Sequence, residues 1–225
     1  MTRVPHQPHL LHLDASARRR SFSREVGGAF ADAWREAEGT VTYRDLAADP
    51  VPQITEAWTE ICDNLLADGI TALARLHEGA RTPRQVTAWQ TIEPLLNELV
   101  AADVILIGTP MYNYGVPASL KAWIDQVTFP RMSLTGRSVV VASARGGSYL
   151  PGATKAAFDH QARYLKDFAA GHFAIDDVTF LHAELANSVI DPNLSDLRDR
   201  HEASLAEALK TARDLGRELA TRTTT

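Results

Sequence analysis

Sulfur, positive charge and long hydrophobic runs are all scarce in this chain. Its 225 residues include one cysteine, Cys62. That excludes an intrachain disulfide and any metal cage built from several thiolates. Lys and Arg number 23 against 28 Asp and Glu, a formal net charge of −5. This balance lacks the basic footprint of a nucleic-acid or anionic-membrane binder. The tightest basic cluster, Arg18-Arg19-Arg20, is too short for a polybasic tail. The longest apolar runs, Val104 to Ile107 and Val139 to Ala142, fall far below the roughly 18–20 residues that span a bilayer. The segment Met1 to His9 is polar, carries Pro5 and Pro8, and lacks the apolar stretch of a targeting leader. A soluble, cytoplasmic chain is expected, with no nucleic-acid or membrane partner. The eight histidines show no metal-ligand spacing, so no metal site is expected.

Catalytic signatures are missing too. No G-x-G-x-x-G follows the first apolar run and no G-x-x-x-x-G-K-[ST] occurs, which excludes those two phosphate fingerprints. Gly146-Gly147-Ser148-Tyr149-Leu150 fails the nucleophile elbow at its last position. His201-Glu202 lacks a second histidine at the zincin spacing.

What is present is an alternation of strand and helix. Leu10 to Asp14 reads as a strand, and Arg24 to Ala37 as a helix with Val26, Ala29, Phe30, Ala33, Trp34 and Ala37 on one face. Val41 to Leu46 alternates as a half-exposed strand does. Asp49-Pro50-Val51-Pro52 is a break. Residues 55–101 carry two helical patterns separated by Gly69, Gly79 and Pro83, with Pro94 expected to kink or restart the second. This stretch exceeds a minimal crossover, so a flexible or extra-helical insertion is expected. Asp103 to Thr109 and Ser138 to Ser143 read as strands buried on both faces. Ser119 to Val127 and Lys155 to Ala169 read as helices, Val178 to His182 as a fifth strand, and Leu194 to Leu219 as a long final helix. One domain over 1–225 is expected, a three-layer α/β sandwich on a five-stranded parallel sheet. Residues 1–8 and 221–225 are expected to be disordered.

In open α/β sheets ligands bind at the carboxyl ends of the strands. Three loops fall there. Ser16 to Ser23 leads straight into a helix, whose first N–H groups and dipole favour an anion. A serine cap beside a solvated arginine run is an equal reading of that loop alone. Thr109 to Pro117 carries Met111, Tyr112, Asn113 and Tyr114, suited to a flat heteroaromatic ligand or to capping the core. Ser143 to Tyr149 carries Gly146 and Gly147, which let backbone approach a ligand or simply make a tight turn. Their convergence on one edge favours a ligand.

These residues resemble a known family. Met111-Tyr112-Asn113-Tyr114-Gly115-Val116-Pro117-Ala118-Ser119-Leu120-Lys121-Ala122-Trp123-Ile124-Asp125 is similar to the P-M-Y-N-F-x-[IV]-P-x-x-L-K-x-[WY]-[IF]-D segment of FMN-dependent NADH-azoreductases. These flavodoxin-like enzymes are also called FMN-dependent NADH:quinone oxidoreductases. Arg44 to Pro50 matches their R-D-L-A-x-x-P, and Arg145-Gly146-Gly147 their S-R-G-G. The Ser16–Ser23 loop resembles their phosphate loop, one residue shorter.

The resemblance implies tightly bound FMN, its phosphate held by Ser16, Ser21, Phe22 and Ser23. Met111, Tyr112, Asn113 and Tyr114 would line the ring system, and Arg145, Gly146 and Gly147 would close over its pyrimidine end. It implies a homodimer and an oxidoreductase that reduces quinones, azo or nitro compounds with NADH or NADPH in a ping-pong mechanism. Tyr149 is a candidate proton donor. Two departures stand out: Ala144 replaces the family's serine, and the connection Thr128–Gly136 is short, which implies an open pocket. A non-catalytic flavodoxin-like electron carrier and an FMN-binding or flavin-free regulatory protein are the alternatives.

Overall fold

The computed structural model describes residues 7–224; the expectations for residues 1–6 and for Thr225 lie outside the described residues. Five parallel strands form one sheet in the order β2-β1-β3-β4-β5. They are β1 (His9–Asp14), β2 (Thr40–Asp45), β3 (Val104–Pro110), β4 (Ser138–Ala144) and β5 (Val178–Ala183). β3 and β4 are buried along their whole length, as their uninterrupted apolar runs require of central parallel strands.

Successive side chains of these strands enter opposite layers. Leu11, Leu13, Ile105, Ile107, Val139 and Val141 pack under α2 (Glu56–Ala67), α3 (Pro83–Ala101), α4 (Ala118–Val127) and α5 (His160–Phe168). Leu10, Val104, Leu106, Val140 and Ala142 pack under α1 (Phe22–Glu36) and α6 (Arg198–Thr224). The anchors of α1 are Phe30 and Trp34, both fully buried. Each such side chain contributes roughly 1.5–3 kcal/mol by leaving water.

The insertion expected at 55–101 is of the extra-helical kind, with both helical patterns formed and packed rather than flexible. α2 buries Ala57, Ile61, Cys62 and Leu65, and a 3-10 segment (Leu73–Gly79) leads to α3. α3 opens with a capping box of Thr82 and Gln85 and runs on through Pro94 without a restart. Burial pushes the Cys62 thiol up to about 12.

Other boundaries shift as well. α1 begins at Phe22 rather than Arg24, with Ser21 at its N-cap. The helix expected from Lys155 begins at His160, where the Asp159 carboxylate caps it by accepting from the Ala162 N–H, and a 3-10 turn (Ala156–Phe158) precedes it. The final helix starts at Arg198 after a 3-10 segment (Pro192–Leu197) and continues to Thr224.

Among the described residues no helix is long and apolar enough to cross a membrane, and no group of three potential metal ligands occurs.

Candidate functional site

Strand order places the topological switch between β1 and β3: the chain leaves β1 for β2 on one side, then returns to β3 on the other. The loops after these two strands part there and leave a crevice. A cleft of about 550 Å³ lies at this edge, lined by the three loops singled out in the sequence. That volume is within the ~300–1,000 Å³ of small-molecule sites.

One end of the cleft is an anion cradle. Ser16, Arg18, Arg20, Ser21 and Phe22 line it. Ser21 has extended backbone at the N-cap, but its hydroxyl does not cap the helix; it hydrogen bonds the Ser23 hydroxyl at 2.9 Å instead. The N–H groups of Phe22, Ser23 and Arg24 therefore lack an acceptor among the described residues. Three such orphan donors at a helix start, with the positive end of the dipole, favour a phosphate. The Ser16 hydroxyl accepts from the Arg18 N–H at 3.2 Å, so its own proton is left to give. Ser23 is fully buried and lies behind the cradle, not in its wall.

Arg24 braces this loop from beneath. Its guanidinium donates to the Ser16 carbonyl at 2.8 Å, the Arg18 carbonyl at 3.1 Å and the Asp45 carboxylate at 2.9 Å. Asp14, buried below, accepts from Tyr43 at 2.9 Å and from Arg24 at 3.3 Å. Burial raises the Asp14 carboxyl above its ordinary value despite these donors, and pushes Tyr43 up to about 12. The sequence reading missed this support because its members come from β1, α1 and β2 and share no local spacing.

The middle of the cleft is flat and apolar, with Met111, Tyr112, Asn113 and Tyr114 in its wall. Tyr112 and Gly115 exchange backbone hydrogen bonds at 3.1 and 2.9 Å around Asn113 and Tyr114, whose φ values are +49° and +69°. Two positive φ values in a two-residue turn suit Asn and Gly. At Tyr114 the left-handed backbone costs about 1–2 kcal/mol. In return the turn presents its ring, steadied by Phe158 at 5.4 Å and, edge-on, by Tyr149 at 6.3 Å.

The other end is the Arg145–Tyr149 turn. The carbonyls of Arg145, Gly146 and Gly147 accept from the N–H groups of Ala186, Asn187 and Leu185 at 2.9, 3.2 and 3.1 Å. The N–H groups of Gly146, Gly147 and Ser148 have no acceptor among the described residues. A Cβ at 146 would lie 2.7 Å from the Asn187 side-chain amide, which would have to move away.

Arg145 is 1% exposed, and its guanidinium is bound to Asp159 at 2.9 Å, Glu184 at 3.4 Å and His182 at 3.0 Å. Its side chain is therefore committed to the interior, and its backbone N–H donates to the Ala183 carbonyl at 2.9 Å, so the turn's free donors are those of Gly146, Gly147 and Ser148. Tyr149 lines the cleft, and burial raises its phenol above the ordinary value. Lys155 and Asn187 also line the cleft and were missed in the sequence. Asn187 follows β5, so its position at the same sheet edge was the available signal.

Ala144 closes the wall beside Arg145. The short Thr128–Gly136 connection does not reach the cleft. Phe129, Met132 and Leu134 are buried in the opposite layer.

An anion cradle at a helix start, a flat aromatic wall and a turn of free N–H groups, set at the switch point of a 2-1-3-4-5 sheet, define a flavodoxin-like α/β protein. A family profile described as "Flavodoxin-like fold" matches residues 8–209. An FMN-dependent NADH:quinone oxidoreductase of Nocardia farcinica is 65% identical over 94% of this chain and 99% of its own length. That of a Parafrankia strain is 39% identical over 92% and 98%. The fold is also that of an azoreductase from Bacillus anthracis, with TM-score 0.75 at 20% identity, covering 94% of this chain and all of that one. The chain belongs to the family of FMN-dependent NADH:quinone oxidoreductases.

Proposed function

We propose that this protein binds FMN in the cleft and reduces quinones, and azo or nitro compounds, by two electrons at the expense of NADH or NADPH. The observation that carries the reading is the donor set. Unpaired N–H groups and serine hydroxyls at one end, flat aromatic walls in the middle and a second set of free N–H groups at the other end fit a phosphate, a tricyclic ring and a carbonyl-rich edge in that order. The relatives' names supply the cofactor, the donor and the quinone.

In this reading Ser16, Ser21 and the N–H groups of Phe22 and Ser23 hold the phosphate, with Ser23 orienting Ser21 from behind. Met111 to Tyr114 pack the ring, and the N–H groups of Gly146 and Gly147 bond the carbonyl edge. Bound FMN supplies the hydride chemistry; the protein binds, orients and tunes it. Tyr149, whose side chain lines the cleft, donates a proton to the reduced acceptor.

A homodimer belongs to the same reading. Tyr112, Tyr114, Val189 and Ile190 are exposed residues lining the cleft, and exposed Phe158 lies against Tyr114. A groove of about 1010 Å³ between α2, α4 and α5 is walled by Trp58, Ile124, Phe129, Pro130, Tyr164 and Phe168. A second copy covering these surfaces would leave one open ring face, which donor and acceptor must use in turn.

The test has two parts. Heat release followed by chromatography should yield FMN; FAD, or no flavin after reconstitution with excess FMN, overturns the reading. Initial rates against NADH at several quinone concentrations should give parallel double-reciprocal lines. Intersecting lines overturn the shared-face mechanism.

A further inference from the structure

Gln161 sits on the first turn of α5 and is 1% exposed. No feature of the sequence distinguished it. Its amide is nonetheless the point where three parts of the cleft meet. The carbonyl oxygen accepts from the Ser143 hydroxyl at 2.7 Å, on β4 just before the Arg145 turn. The amide nitrogen donates to the Pro110 carbonyl at 2.8 Å, at the end of β3, and to the Gly115 carbonyl at 3.3 Å. Pro110 and Gly115 bracket Met111 to Tyr114.

The bracketed turn holds Asn113 and Tyr114 at positive φ. A strained turn of this kind persists only where its surroundings over-determine it. The Tyr112–Gly115 backbone pair fixes the turn within itself, and the Met111 N–H, bonded to the Ala144 carbonyl at 2.8 Å, ties its start to β4. Gln161 ties the far end, because the amide that bonds Gly115 also grips Pro110 and Ser143. The Gly115 carbonyl already accepts from Tyr112, so the second bond uses its other lone pair.

We propose that Gln161 is a positioning residue for the flavin: its amide nitrogen, bonded to the Pro110 and Gly115 carbonyls, sets where the Met111–Tyr114 wall stands against the ring. This rests on the FMN reading of the cleft. Gln161 does not line the cleft and touches no cofactor itself.

Two substitutions in the full-length, FMN-loaded protein separate positioning from packing. Gln161→Glu keeps the shape and the bond from Ser143, and replaces only the nitrogen donor with a second acceptor facing two carbonyls. Gln161→Leu removes every bond while staying apolar. The FMN dissociation constant is read from flavin fluorescence on dilution, the visible flavin spectrum reports the ring environment, and thermal unfolding reports the fold.

Both variants are expected to release FMN at least about ten-fold more readily, equivalent to about 1.4 kcal/mol, with the bound flavin's absorption bands moved towards those of free FMN. If Gln161→Glu binds FMN within about two-fold of the parent with an unchanged spectrum, the proposal is overturned, whatever Gln161→Leu does. Lower unfolding temperatures with an unchanged dissociation constant mean that the residue serves the fold alone, and overturn it too. If the parent protein binds no FMN, the reading of the cleft fails, and that outcome is distinct from a parent that binds and variants that bind equally well.

Discussion

The guanidinium of Arg145 and the carboxylate of Glu184 lie 3.4 Å apart, both almost wholly buried. Glu184 also accepts from the Ser148 hydroxyl at 2.7 Å and from the Tyr149 N–H at 2.9 Å. One carboxylate thus shares the buried cation with Asp159 and anchors the turn that carries Gly146 and Gly147. Glu184→Ala leaves three donors without their acceptor. Removing one partner of a buried pair costs roughly 3–5 kcal/mol; Asp159 keeps Arg145 partly compensated, so the lower end is expected. Urea unfolding measures it, and a loss below about 1 kcal/mol would contradict the assignment.

His182 gives the stability a pH dependence. Burial, and then the Arg145 charge, lower its pKa to about 4 from the ordinary 6.5. The unfolded chain therefore takes up a proton first as the pH falls. The stability that His182 contributes is full above about pH 6.5 and is lost progressively towards pH 4, on the order of 2–3 kcal/mol in all. His182→Gln keeps an acceptor for Arg145 and does not titrate. Its unfolding free energy should fall less than the parent's between pH 7 and 4.5; identical slopes would exclude this source.

The phosphate end makes a graded prediction. Ser21→Ala removes a cleft hydroxyl, and a hydrogen bond to a charged group is worth about 1.5–3 kcal/mol, so FMN affinity should fall about 10- to 150-fold. Ser23→Ala acts only by freeing Ser21 and should cost less. The double variant should weaken FMN binding more than it lowers the unfolding temperature. An FMN dissociation constant unchanged in all three would place the phosphate elsewhere.

Gly108 on β3 lies against Asp14, where a Cβ would sit 2.2 Å from a carboxylate oxygen and 3.4 Å from the Leu13 carbonyl. Gly108→Ala must displace a buried, bonded carboxylate. Overpacking of this kind costs typically about 1–3 kcal/mol, and the unfolding temperature should drop accordingly. A variant as stable as its parent would show that β1 and β3 have slack that the packing does not suggest.

Acceptor size tests the open cleft. The Thr128–Gly136 connection packs into the core and covers nothing at the site, so a polycyclic quinone should be reduced as readily as a benzoquinone of similar potential. A preference for the small acceptor of ten-fold in kcat/KM, about 1.4 kcal/mol, would mean that another segment fills the space.

The central strands were legible in the sequence because Val104–Ile107 and Val139–Ala142 are buried on both faces and show it as unbroken apolar runs. The cleft loops were legible because turn residues and hydroxyls collect where strands end. The two helices of the 55–101 region were legible from their apolar periods, with Gly69 and Gly79 marking the break between them, but their firm packing was not. The Thr82–Gln85 capping box, visible as T-x-x-Q, was the overlooked signal of a well-formed helix. Arg145, Glu184 and Gln161 were beyond reach for another reason: their roles depend on contacts between elements far apart in the chain, and nothing local marks a buried cation or a shared amide.

The depth of Cys62 bears on the chemistry proposed for the cleft. Quinones are electrophiles, and a thiolate adds to them irreversibly, whereas a protonated thiol is a poor nucleophile. With its pKa pushed up to about 12 and its side chain buried on α2, the one sulfur nucleophile of this chain stays in the unreactive form at neutral pH. In the reaction proposed for the cleft, Cys62 would then offer a quinone no thiolate to add to.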